Sequence, residues 1–148
     1  MKKSPLSPRI TLWVNRLIAL MVAALLPALP FILDWYCTFR TLRREEYLAI
    51  LIAFYCCVLL VAIALWNIER LLRNIIANAV FTSQNVKHIS HVRWCCGGVS
   101  LICLPAAFVY YPLSFMVVIM AFLCLVVSVL KQVMAAAVSI REENDLTI

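Results

Sequence analysis

Charge and glycine are both scarce in this chain: 14% of its 148 residues are charged, two are glycine and six are proline. Soluble domains carry about 25% charged residues. At this length a water-soluble fold still leaves roughly a third of its unfolded-chain surface outside, and that surface needs polar residues the chain lacks. So few glycines and prolines also exclude collagen-like, glycine-rich and proline-rich disordered chains. What is abundant is apolar, at 66% of residues. The composition is that of an integral membrane protein.

Uncharged runs divide the chain. Leu17 to Leu33 lies between Arg16 and Asp34, with Trp13 before it and Trp35 and Tyr36 after it. It is at the short end of a bilayer span, and Leu12 and Val14 extend it. Pro27 and Pro30 near its far end predict a kink. Tyr47 to Trp66 forms a second run, with aromatics at both margins as at headgroup interfaces. From Trp94 to Leu130 no residue is charged. A single helix there would be about 55 Å long against a hydrocarbon core near 30 Å, so it turns back at Tyr110 to Ser114. The fold class is therefore all-α: a polytopic membrane protein with four transmembrane helices, at about residues 12–34, 47–67, 94–111 and 114–133. The first run has a basic start but no small-x-small cleavage pattern, and is read as a retained helix rather than a signal peptide.

Ten of the thirteen basic residues fall in the N-terminal segment, the middle loop and the C-terminal segment; Arg40, Arg43 and Arg44 alone lie in the loops on the other side. The positive-inside rule then places both termini and the middle loop in the cytoplasm.

The middle loop, 68–93, reads as a cytoplasmic amphipathic helical hairpin between helices two and three. Ile68, Leu71, Leu72, Ile75, Ile76, Ala79 and Val80 recur at helical spacing, with Glu69, Arg70, Arg73, Asn74 and Asn78 opposite. A second short helix restarts at Thr82 as N-cap, with Phe81 placed to staple onto Val86, and enters span three at Trp94. Arg70, Arg73, Lys87 and Arg93 are candidate contacts to anionic headgroups. Beyond span four the helix continues to about Ile140 or Glu143 and leaves a cytoplasmic tail within 134–148. There Leu146 and Ile148 alternate as in a strand that adds to a partner, whereas a frayed terminus is the plainer reading.

Chemistry is hard to find. Ion paths and proton relays mark themselves by a carboxylate, lysine or arginine inside the membrane, and the uncharged cores contain none. That argues against a proton-coupled multidrug exporter of four helices; oligomeric pores lined by hydroxyls stay open. Of the seven cysteines, Cys56 and Cys57 are adjacent, as are Cys95 and Cys96. Helix neighbours point about 100° apart, so neither pair makes the usual redox couple, and inert packing is expected. His88 and His91 lack a third ligand, so neither a metal nor any other cofactor is expected. Gly97 and Gly98 fit close helix packing. No nucleophile motif or nucleotide loop recommends an enzyme, and the dispersed basic residues do not suit direct nucleic-acid binding.

Val80-Phe81-Thr82-Ser83-Gln84-Asn85-Val86, followed by Arg93-Trp94-Cys95-Cys96, together with the closing Glu143-Asn144-Asp145-Leu146-Thr147-Ile148, resembles the bacterial domain-of-unknown-function 2975 family of small four-span membrane proteins. Where this chain has Gln84 the family commonly has a glutamate. The resemblance brings no catalytic residues. It implies a genetic pairing with a small helix-turn-helix regulator. The expectation is a membrane protein whose lipid-embedded helices hold or modulate that cytoplasmic regulator, through candidate contacts Phe81, Thr82, Asn85, Val86, Asn144, Asp145, Leu146 and Ile148. The alternative is a transport, pore-forming or export-system subunit, and a homo-oligomer is open.

Overall fold

A computed structural model describes residues 6–77 and 82–145, with side chains for 9–77 and 82–144. The described residues form four helices and no strand: α1 (Leu6–Phe39), α2 (Arg44–Ile76), α3 (Ser83–Val109) and α4 (Leu113–Asp145). Each is long and apolar enough to cross a membrane. Large apolar side chains such as Trp13, Phe31, Leu101, Phe108 and Phe122 are exposed around the whole bundle. In water such a surface would drive aggregation; in a bilayer it is the lipid-facing side.

The helices pack in chain order. Among the described residues the close backbone approaches run from α1 to α2, from α2 to α3 and from α3 to α4. α2 and α3 each pack on two neighbours, and α3 holds half of the buried apolar positions among the described residues: Ile89, Cys95, Val99, Cys103 and Ala106. α2 and α3 approach closely at Gly98, where a Cβ would come within 2.9 Å of Leu60 Cδ1 and the end of that side chain would have to move aside. Gly97 is less constrained, its Cβ position being 3.6 Å from Cys124 Sγ on α4.

Pro27 and Pro30 lie inside α1 without interrupting it. Proline at position 30 removes the amide that would bond to the carbonyl of Leu26. Tyr55 on α2 donates its hydroxyl to that carbonyl at 3.1 Å. The freed acceptor is therefore satisfied inside the membrane segment, as a low-dielectric surround demands. Leu113 and Ser114 amides donate to the carbonyls of Tyr110 and Tyr111 and close the tight turn into α4.

Two local expectations change. Residues 83–93 are the first turns of α3 rather than a separate short helix, while residues 68–76 continue α2 as their apolar spacing predicts, so the apolar faces on both sides of the loop belong to the long helices themselves. Thr82 occupies the N-cap position, but its hydroxyl makes no capping bond. Its carbonyl instead accepts from the amides of Asn85 and Val86. The staple assigned to Phe81 lies outside the described residues.

Candidate functional site: a polar belt across the helix ends

The start of α1, the end of α2 and the start of α3 lie at one end of the bundle. Amides are costly in an apolar surround unless each polar atom finds a partner, so their placement there is informative. Asn15, buried on α1, donates to the carbonyl of Leu65 at 3.3 Å. Buried Asn67 donates to the carbonyl of Ile63 at 2.8 Å and presents its Oδ1 to His88 Nδ1 at 2.9 Å. That oxygen only accepts, so His88 carries a proton on Nδ1. Two turns further along α2, Asn74 Nδ2 donates to Asn85 Oδ1 at 2.7 Å. Asn85 has no exposed surface at all.

Glu69 supplies the charged part. Its Oε1 accepts from Arg73 one turn along α2 at 2.6 Å and from Arg16 on α1 at 3.2 Å. The hydrogen bond from Arg73 first, then that from Arg16, holds the Glu69 carboxyl below the usual glutamate range, against an opposing effect of partial burial. Arg70 lies over the Trp66 ring, 5.4 Å from its centroid, and Arg93 over Trp94 at 5.3 Å. Such stacking keeps an aliphatic stem on apolar surface and its charged head toward water.

The sequence-derived candidates divide. Asn85 is an internal hydrogen-bonding residue; as it stands it offers no surface to a partner. Thr82 and Val86 are half-buried at the α3 start, and Asn144 is exposed on α4. Asp145 closes α4. Phe81, Leu146 and Ile148 lie outside the described residues. Of the basic set, Arg70 and Arg73 stand together beside Glu69, Lys87 is exposed on α3, and Arg93 sits on Trp94. His88 and His91 do not act together: His91 Nδ1 donates to the carbonyl of Lys87 at 2.7 Å while His88 bonds across to α2. Among the described residues no group of three His, Cys, Asp or Glu is arranged to hold a metal ion.

Sequence reasoning missed Asn15 and Asn67. The available signal was an amide flanked by apolar residues on a membrane helix, a position where interhelical hydrogen bonding is the usual use. It also missed Cys57 and Cys103, whose Sγ atoms lie 3.7 Å apart between α2 and α3 although 46 residues separate them. Both line a cavity of about 200 Å³ where all four helices approach, together with Val22, Val99, Met116 and Met120.

The belt as a whole is a set of hydrogen bonds between helices that fixes their mutual register at one end. Against known proteins, a family model described as "Protein of unknown function (DUF2975)" matches residues 5–148, nearly the whole chain. No curated protein and no solved structure matches.

Proposed function

The chain belongs to the DUF2975 family of proteins of unknown function, and with no activity to inherit from it we propose a non-enzymatic membrane regulator that holds a small cytoplasmic helix-turn-helix transcription regulator at the inner membrane. The observation that carries this reading is the pair of bonds Asn67–His88 and Asn74–Asn85, which tie the last turns of α2 to the first turns of α3. Helices locked in this way form a rigid projection of the kind that serves a docking partner. The excess of Lys and Arg on the same side supports a cytoplasmic location for that projection and for both termini. The genetic pairing implied by the family resemblance supplies the kind of partner.

On this reading residues 68–93 form a cytoplasmic hairpin, and that hairpin and the end of α4 are the contact surfaces. A transport or pore-forming role is less well supported. The cavity where the four helices approach is lined by apolar and sulfur-bearing side chains, with no charged group to select or carry an ion.

The test is co-purification of the intact membrane protein with the helix-turn-helix regulator encoded beside it. Retention of the regulator by the full chain, and its loss on deletion of 144–148 or on replacement of 81–86, is the expected result. A regulator that neither associates with the protein nor changes its activity when the protein is removed overturns the proposal. Flux of ions or amphipathic solutes in liposomes containing only this protein would favour the transport class.

A further inference from the structure

We propose that the α1–α2 face at the Arg16 end is a binding site for one anionic phospholipid. Its phosphate would sit among Arg16, Arg70 and Arg73, and one acyl chain would run along the groove between the two helices.

Three observations converge. First, a cavity of about 210 Å³ separates α1 from α2 between Asn15 and Leu26, its sides formed by the small or branched residues Ala19, Ala23, Val58 and Ala62. Eleven residues of helix span about 16 Å, which is one leaflet of a hydrocarbon core near 30 Å. The groove therefore has the reach of a single lipid chain, and the bond from Tyr55 to Leu26 joins the two helices at its deep end.

Second, the shallow end is polar and basic. Glu69 and Trp66 border both this groove and a smaller recess that Arg70 and Arg73 complete, so the apolar and basic parts are continuous. Three guanidiniums against the single carboxylate of Glu69 leave an excess of two positive charges, which complements a phosphodiester and favours a lipid with net negative charge over a zwitterionic one.

Third, the arginines are held and yet available. Glu69 engages one nitrogen from each of Arg16 and Arg73, while their side chains remain 47% and 57% exposed. A guanidinium presents five N–H donors in a fixed fork, so the same groups have donors left for phosphate oxygens. Glu69 thus acts as a positioning residue that draws Arg16 of α1 to the α2 arginines.

Trp66 reports on the site directly. The full chain with Trp13, Trp35 and Trp94 changed to phenylalanine is reconstituted in phosphatidylcholine containing increasing amounts of brominated phosphatidylglycerol or brominated phosphatidylcholine. The expected result is quenching of Trp66 that saturates at several-fold lower mole fraction of the brominated anionic lipid. Arg16→Gln with Arg73→Gln removes that preference, and Ala23→Leu, which fills the groove, weakens it. Lys87→Gln with Arg93→Gln, at the same end but off the site, leaves it intact. Equal quenching by the two lipids overturns the proposal. So does an anionic preference lost equally in the Lys87/Arg93 variant, because diffuse attraction would then explain it. Unchanged helicity of each variant by circular dichroism shows that folding is not what was measured.

Discussion

Asn74 on the last turns of α2 donates its side-chain amide to Asn85 on the first turn of α3 at 2.7 Å, and Asn85 is completely shielded from solvent. This one amide pair, half-buried on the α2 side and fully buried on the α3 side, thereby fixes where the two helices meet at the loop end.

Asn74→Ala leaves an oxygen of Asn85 without that donor and is expected to lower stability by about 1–3 kcal/mol. The Asn74→Ala, Asn85→Ala double-mutant cycle, followed by unfolding in mixed micelles, should give a coupling of about 0.6–1.7 kcal/mol, as for interhelical bonds in other membrane proteins. Strict additivity of the two substitutions would show that the bond contributes nothing.

Acid should loosen the junction between α1 and α2. Arg73 and Arg16 lower the folded-state pKa of Glu69 beneath the 4.5 of an unperturbed glutamate. The folded state therefore binds this proton less readily than the unfolded one, so the stabilisation is complete above the unfolded value and is lost as pH falls through the folded value. Melting temperature measured from pH 7 down to pH 3 should fall less steeply in Glu69→Gln than in the parent; superimposable profiles would rule the contribution out.

Tyr55 and Pro30 should behave as a coupled pair. Removing the hydroxyl with Tyr55→Phe strips the Leu26 carbonyl of the donor that stands in for the amide missing at position 30. A loss of about 1–3 kcal/mol is expected in the parent background. In Pro30→Ala, where the backbone amide returns, the same substitution should cost much less. An equal cost in both backgrounds would mean that the hydroxyl serves some other purpose.

The proximity of Cys57 and Cys103 is open to a chemical check. In a variant retaining only these two cysteines, a lipid-permeant oxidant should consume both thiols and yield one peptide pair joined across α2 and α3, because the sulfurs already lie 3.7 Å apart. A variant retaining Cys56 and Cys103 should react far less. Recovery of two free thiols from the first variant would contradict the α2–α3 register described above.

Much of this architecture is legible in one dimension. Uncharged stretches with basic and aromatic margins give four helices long enough to cross a membrane, since a bilayer imposes both length and polarity on whatever crosses it. The continuation of α2 past Trp66 is likewise visible, in the apolar spacing of Ile68, Leu72 and Ile75. The site is less legible. Asn85 stands among polar neighbours at a helix start and reads as a surface residue, whereas packing against α2 buries it. The face by which α3 packs cannot be read from its composition either, because apolar residues surround that helix on all sides.

The sequence by itself determined that this protein lives in a membrane, how many times its helices can cross and on which side its basic residues gather, because those properties follow from counts along the chain. Only the tertiary structure decided which residues meet: Asn67 with His88, Glu69 with Arg16, and Cys57 with Cys103. The reason is physical. Apolar residues are interchangeable in lipid and leave helix rotation and register unspecified, so the register falls to a few polar contacts whose partners lie far away in sequence.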